Sequence, residues 1–395
     1  MNLTKRILFT LFVLVIYRIG LNIPLPGIDP AFLRTFKGSI DQFSVFTFGI
    51  WPYITVYFIL WLLKMVIPSL RKRSVFSDPV MDRYVRYGTI VLCIIQSIGL
   101  LILFKNNVIN DPANIGSIHG FHPGDFTLSF TLTFILVITS GTLFLVWLAD
   151  QITKWGVGNG VLLILFAGFA GELLQFKELF TDDKMNRLTP VIILLVFILM
   201  IGLVVARQLS ARHIPLEESN KERTRITFKI HPINDYLIIT IALWPVMFIS
   251  QLFGLFYFDF LRSIANSLSP GNIVYYLESI ILLTLTGYFT YRTIYYNPHG
   301  ITDQLDKEGK TIPGIASGKA RSVYFTKVLS HIALPASIML AFITVFPDLL
   351  MQWTSIPYRI AYLMGGRDMI IMVGAALSVA QSIQRHRKSQ AERTA

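Results

Sequence analysis

The sequence predicts an all-α integral membrane protein with about ten membrane-spanning helices. Three observations indicate this. Hydrophobic residues make up 53% of the 395 residues and charged residues only 15%, whereas roughly a quarter of a soluble domain is charged. The hydrophobic residues form long continuous runs. Lys and Arg are concentrated in alternate connections between these runs, as expected when one side of a membrane retains the positive charge.

The apolar runs predict helices because the backbone N–H and C=O groups of a chain in lipid must be hydrogen-bonded within the segment. A helix needs about 20 apolar residues to cross a hydrocarbon layer of ~30 Å. The sequence lacks the ten-residue alternating segments of a membrane β-barrel. The predicted spans are residues 7–22, 43–67, 84–104, 127–150, 160–176, 189–206, 236–258, 274–296, 325–350 and 360–384.

The basic residues predict the orientation. With the N-terminus inside, most of the 35 Lys and Arg residues fall in inner segments, which satisfies the positive-inside rule. An even number of spans then also places the C-terminus in the cytoplasm. Two inner connections, residues 207–235 and 297–324, are longer than a tight link requires, and long connections are often functional.

Ten spans form a single membrane domain, residues 1–395, that divides five and five. We predict two pseudo-symmetric halves, residues 1–176 and 188–395, as in proteins built from inverted repeats. The halves share no obvious sequence identity. The glycine-rich segment 156–160 predicts a flexible entry into the fifth span.

The sequence offers no chemistry for catalysis. It lacks HExxH, GxSxG and the phosphate-binding GxxxxGK[ST], so we predict neither an enzyme nor a nucleotide site. Cys93 is the single cysteine, and His119 and His122 have no neighbouring cluster of carboxylates or thiols, so we predict no metal and no cofactor. Ionisable residues are scarce in the middles of the spans, which favours an apolar passage over an ion pathway.

Short motifs occur in order along the spans. They are residues 17–20 (YRIG), 23–29 (IPLPGID), 48–54 (FGIWPYI), 86–89 (RYGT), 96–99 (QSIG), 147–153 (WLADQIT), 156–160 (GVGNG), 297–298 (NP), 312–315 (IPGI) and 365–366 (GG). In this order the motifs resemble the SecY family, the channel subunit of the Sec protein translocon. The most specific are residues 147–153 and 156–160.

The resemblance implies a two-halved, clamshell-like helical channel without enzymatic activity. It also implies a multi-pass protein of a bacterial plasma membrane that passes unfolded secretory protein across the bilayer. The implied partners are a SecA-type ATPase motor, SecE-like and SecG-like small membrane subunits, the unfolded preprotein and the surrounding lipid. No nucleic acid is implied.

Three departures from the housekeeping pattern resemble the accessory SecY of Gram-positive bacteria, which exports serine-rich glycosylated adhesins. Residues 30–42 leave little room for a plug helix, the loop at 213–232 is short, and Ala316-Ser317-Gly318 stands where the family usually has an arginine. Three alternatives remain open: the housekeeping channel, a small-solute secondary transporter and an intramembrane enzyme. The transporter requires a polar site at mid-membrane.

The resemblance also assigns a constriction of aliphatic side chains, which can dewet when closed and yield around a passing chain. The positions of this pore ring are Ile50, Ile54, Val161, Leu165, Ile239 and Ile371. A shift about Pro245 would put Met247 in place of Ile239. The alternative for each position is an ordinary lipid-facing or packed aliphatic residue.

Two further groups of residues follow from the resemblance. Pro52 and Pro245 mark a lateral gate between the second and seventh spans, because proline weakens a helix. The inner loops present a docking surface for the motor. Its candidates are Arg212, Lys221, Arg223, Arg225, Lys307, Lys310, Lys319 and Arg321. The alternative is that these charges only set the topology and meet lipid headgroups.

Overall fold

A computed structural model describes most of the chain. The described residues are 2–26, 44–66, 78–110, 127–170, 188–217, 223–229, 235, 238–243, 259–268, 271–315, 318–354, 356, 361 and 363–394.

The described residues are mostly helical. The helices are α1 (Leu3–Gly20), α2 (Trp51–Val66), α3 (Asp78–Asn110), α4 (Leu128–Trp155), α5 (Gly160–Phe169), α6 (Leu188–Leu209), α7 (Asp259–Ser267), α8 (Ile273–Phe289), α9 (Pro298–Lys307), α10 (Lys319–Trp353) and α11 (Gly366–Thr394). A π-helical turn, Thr290–Tyr295, continues α8. Two strands, β1 (Ala211–Glu217) and β2 (Arg223–Lys229), pair antiparallel.

The helical membrane fold predicted from the sequence is confirmed. Every predicted span overlaps one of these helices except the seventh, of which only residues 238–243 are described, and they are helical. Among the described residues, five helices are long and apolar enough to cross a membrane. They contain Val80–Ile102, Leu128–Trp155, Val191–Leu209, Ile273–Arg292 and Lys319–Trp353.

The long helices carry large apolar side chains on their outer faces. Leu136 of α4 is 68% exposed and Leu199 of α6 is 69% exposed. Exposed apolar surface on this scale is rare in soluble monomers, and it suits helices whose backbone is satisfied internally and whose side chains meet lipid.

The chain folds into two compact units. The first comprises Met1–Gly168 and Ala375–Ala395, and the second comprises Phe169–Gly374. In the first unit α3 packs against both α2 and α4, and α1 packs against α4. In the second unit α8 packs along α10 and α10 also contacts α6 and α9. The predicted halves, residues 1–176 and 188–395, stay a prediction.

The glycine-rich turn between α4 and α5 is fixed, and the prediction of a flexible entry was wrong. The backbone N–H of Val157 donates to Thr10 Oγ1 at 2.9 Å, and that of Asn159 donates to Ser378 Oγ at 3.1 Å. The side chain of Asn159 caps α5 by accepting from the backbone N–H of Leu162 at 3.2 Å. The turn is therefore held from three sides.

The backbone geometry of this turn favours glycine at two positions. Gly158 has φ +85°, which is left-handed backbone that favours glycine. A Cβ at Gly160 would lie 1.9 Å from the backbone oxygen of Ala149. The turn brings α5 so close to α4 that only glycine fits at residue 160.

The long connection after α6 is a β-hairpin, where the sequence analysis predicted only a loop. Ile214 pairs with Ile226 in the antiparallel register, and Leu216 pairs with Thr224. Cross-strand partners share a face, so Ile214, Leu216 and Phe228 lie on one face, and they are buried there. The other face, which includes Arg225, is exposed.

The hairpin and the connection before α10 form one small body with a core of its own. The core consists of Ile214, Leu216, Phe228, Leu305, Ile312, Phe325 and Leu329. Glu217 and Thr311 add two backbone hydrogen bonds of 2.8 Å between the two connections. The described parts of these two long connections therefore form a packed platform at the ends of α6, α8 and α10.

Candidate functional site

The pore-ring candidates of the first unit lie on two short helical faces. Ile50 precedes α2 and accepts a hydrogen bond from the Ile54 backbone N–H at 3.3 Å, so the two side chains are one turn apart. They are 1% and 6% exposed. Val161 and Leu165 have the same spacing on α5. Leu165 is buried and Val161 is half-buried.

The candidates of the second unit are also withdrawn from the surface. Ile239 is 7% exposed in the helical segment 238–243, and Ile371 is 1% exposed in the first turns of α11. The alternative residue, Met247, lies outside the described residues. Burial excludes the lipid-facing alternative for five of the six positions, all except Val161. Their meeting in one ring stays a prediction.

Pro52 does not weaken a helix interior, contrary to the sequence analysis. Helix α2 begins at Trp51, so Pro52 stands in its first turn, where a backbone N–H has no intrahelical acceptor and proline is well tolerated. A gating role for Pro52 would therefore need another cause. Pro245 lies outside the described residues.

Four of the basic candidates for motor docking are exposed on the platform or beside it. They are Arg212 and Arg225 of the hairpin, Lys307 at the end of α9, and Lys319 at the start of α10. Arg223 belongs to β2, opposite Glu217 in the register. Lys221 lies outside the described residues.

Lys310 forms an ion pair with Glu308. Its Nζ lies 2.8 Å from Glu308 Oε2, and the other carboxylate oxygen, Oε1, accepts from Gln304 Nε2 at 2.8 Å. The hydrogen bond from Lys310 is the largest cause that lowers the pKa of the Glu308 carboxyl. The pair is solvent-exposed, so it contributes little to stability.

Arg321 is not a surface residue, which corrects its place among the docking candidates. Its side chain is 1% exposed, and its Nη1 donates to Asp306 at 2.7 Å and to the Lys310 carbonyl at 3.1 Å. The guanidinium is used to tie α9 and the following turn to α10. It shapes the platform and does not project from it.

A buried polar cluster was missed by the sequence analysis. Arg207, at the end of α6, forms an ion pair with Asp235, and Tyr291 of the π-helical turn donates to the same carboxylate. The three residues are 1%, 0% and 2% exposed. Arg207 and Asp235 are the two ends of the predicted inner connection 207–235, and the sequence analysis did not predict that they form a buried ion pair. The sequence shows that residues 207–208 end one apolar run and that Asp235 precedes the next, but it does not show that the two charges meet.

Comparisons with known proteins agree with this architecture. A SecY family model matches residues 44–380. The protein translocase subunit SecY of Aquifex aeolicus is 30% identical over 97% of this chain and 94% of its own length. That of Staphylococcus aureus is 32% identical over 96% of this chain and 93% of its own length.

Solved structures show the same fold at lower identity. A SecY structure that concerns the plug domain and the closed channel has a TM-score of 0.60. Sec61 in a canine ribosome–channel complex has a TM-score of 0.59. Each of the two is 18% identical to this chain, and each alignment covers 98% of this chain and 93% of the solved chain.

The fold and the matches show that the chain is a multi-pass helical channel protein of the plasma membrane. The chain belongs to the SecY family. Its general function is accordingly that of the protein-conducting channel of the Sec translocase, and no catalytic activity is expected from this family.

Proposed function

We propose that this chain passes unfolded secretory proteins through a passage closed by the pore ring. The observation that carries the proposal is the burial of the ring positions. Leu132, Leu136 and other aliphatic residues of the same protein are more than half exposed, whereas Ile50 and Ile371 are 1% exposed. Aliphatic residues withdrawn from lipid on several helices are what a closed apolar constriction requires.

The ring needs no charge to seal the membrane. A narrow aliphatic constriction excludes water and ions when it is empty, and branched side chains yield around a polypeptide that enters. The passing signal segment leaves sideways between the second and seventh spans. In this proposal Pro245 eases that movement, whereas Pro52 only begins its helix.

The platform is the docking surface for a SecA-type ATPase motor. Because the hairpin and the connection before α10 share one core, a motor that binds Arg212, Arg225 or Lys307 contacts one packed unit. Lys319 extends this basic surface to the start of α10. The platform then faces the cytoplasm together with both termini, and SecE-like and SecG-like subunits complete the complex.

We further propose that the chain is the accessory form of the channel, which exports serine-rich glycosylated adhesins. Two features support this: Ala316-Ser317 in place of an arginine, and the short segment 30–42. Both lie outside the described residues. The second candidate is the housekeeping channel, which is favoured by the similarity over nearly the full length to relatives named simply protein translocase subunit SecY.

Deleting the gene in its native host separates these two candidates. We expect normal growth with loss of one large surface glycoprotein, because the main channel continues to export all other proteins. The measurement is growth rate together with a surface-protein profile. The intact gene supplied on a plasmid is the control and should restore the glycoprotein. A lethal deletion would show that the chain is the housekeeping channel.

A further inference from the structure

Two consecutive residues at the end of α6 bind the neighbouring helices through polar side chains. Arg207 Nε donates to the backbone oxygen of Ala336 in α10 at 2.9 Å. Its terminal nitrogens donate to Asp235, with an Nη2–Oδ1 distance of 2.8 Å. Arg207 thereby joins α6 to α10 and to the start of the seventh span.

Tyr291 adds a further helix to this cluster. Its hydroxyl donates to Asp235 Oδ1, the same oxygen that accepts from Arg207. The π-helical turn Thr290–Tyr295 presents this hydroxyl, and such turns are frequent at functional sites. The carboxylate of Asp235 is thus held by two donors from two different elements.

Gln208 connects the end of α6 to α11. Its Nε2 donates to the backbone oxygen of Ile370 at 3.0 Å, and its side chain is 1% exposed. Its Oε1 has no hydrogen-bond partner among the described residues. The side chain is therefore fixed by what it donates to Ile370.

Both anchored points adjoin pore-ring positions. Asp235 is helical and precedes Ile239, in the helical segment 238–243, by four residues in the sequence. Ile370 directly precedes Ile371. In the sequence, both ring candidates of the second unit therefore lie within four residues of a group that Arg207 or Gln208 holds.

We propose that Arg207, Gln208 and Asp235, the polar anchor, are positioning residues that hold Ile239 and Ile371 in the closed ring. This inference rests on the proposed function. Arg207 and Gln208 lie four and three residues before Ala211, the first residue of β1, so a force on the platform reaches the ring positions through the end of α6. A motor that moves the hairpin would thereby loosen the ring.

Stability alone does not account for such a cluster. Removing two charges from water is costly, and replacing a buried ion pair by apolar residues of similar volume is often neutral or stabilising. An apolar pair packs without a preferred orientation. The planar guanidinium of Arg207, in contrast, fixes the positions of its hydrogen-bond acceptors. The anchor is therefore suited to positioning.

The test replaces the pair without leaving a lone charge. The double variant Arg207→Met with Asp235→Leu is purified with the subunits that accompany it, and ion conductance is measured in planar bilayers beside the melting temperature. We expect the melting temperature to fall far less than in a variant that leaves one charge unpaired, because only uncharged groups such as the Tyr291 hydroxyl lose a partner. We expect the resting conductance to rise roughly tenfold, since a closed state in a two-state equilibrium loses population when its specific contacts are removed. Arg207→Lys, which keeps the charge but loses the planar geometry, should leak less than the double variant.

The control is a matched ion pair elsewhere. Arg86→Met with Asp150→Leu removes the pair between α3 and α4 and should leave the conductance at the wild-type level. A double anchor variant that is stable but no leakier than wild type would overturn the inference, provided that Ile50→Ser with Ile54→Ser leaks. If that ring variant does not leak either, the proposed function fails, and the inference fails with it.

Discussion

Replacing Asp235 alone by alanine should destabilise the protein by about 3–5 kcal/mol, because it leaves a charged arginine buried without its partner. Arg207 is 1% exposed, so water cannot replace the lost carboxylate. Tyr291 also loses its acceptor, and a buried polar group without a partner adds to the cost. The measurement is the free energy of unfolding in mixed detergent micelles.

The matched control is Asp150→Ala. Asp150 accepts from Arg86 at 2.5 Å, but the two side chains are 29% and 50% exposed. Exposed ion pairs contribute about 0–1 kcal/mol, so this variant should be close to wild type. Equal losses of stability in Asp235→Ala and Asp150→Ala would contradict the account of the buried pair.

The second large effect is expected at the turn between α4 and α5. Gly160→Ala places a methyl group 1.9 Å from the backbone oxygen of Ala149, and backbone cannot turn aside as a flexible side chain can. Forced overpacking costs about 1–3 kcal/mol and occasionally more, and we expect this variant at or beyond the upper end. The measurement is the yield of monodisperse protein in detergent with its melting temperature.

Gly202→Ala is the control for that experiment. A Cβ at Gly202 meets nothing within 4 Å, and alanine is favoured over glycine inside a helix by about 0.5–1 kcal/mol. This variant should therefore fold at least as well as wild type. Normal yield and stability of Gly160→Ala would show that α5 does not approach α4 as closely as the turn requires.

The spans were predictable because lipid imposes a simple rule on the backbone. An apolar run of membrane length must be a helix, and α4 and α6 begin and end within a few residues of the predicted bounds. Pro52 was misplaced for a related reason. The apolar run 43–67 continues through Ile50, and hydrophobicity alone does not show that the helix begins only at Trp51.

The hairpin could have been found from its own pattern. Ile226 and Phe228 alternate with Arg225, Thr227 and Lys229, and Ile214 and Leu216 are separated by a single residue, Pro215. A period of two predicts a half-buried strand. What the sequence does not contain is the partner surface. That the apolar face packs against Phe325 of α10 follows from tertiary structure, about 100 residues away.

The buried cations were not predictable for the same reason. Arg207 and Arg321 each follow or open an apolar run, where a cation is expected to reach the interface and set the topology. Their acceptors, Asp235 and Asp306, come from other segments. Only the packing of these segments shows that the two arginines are internal ties, whereas Arg225 is exposed.

The ring assignment is the central claim, and serine substitution tests it most directly. Ile50→Ser with Ile54→Ser puts hydroxyl groups on two buried ring positions, and a hydrophobic gate that gains polar groups becomes wet. The control is Leu132→Ser with Leu136→Ser, which has the same four-residue spacing on α4 at side chains that are 58% and 68% exposed.

Ion conductance of the resting protein in planar bilayers is the deciding measurement. The account predicts a conductance well above wild type for the ring variant and a wild-type conductance for the lipid-facing control. An unchanged conductance in the ring variant, or an equal rise in the control, would contradict a channel closed by Ile50 and Ile54.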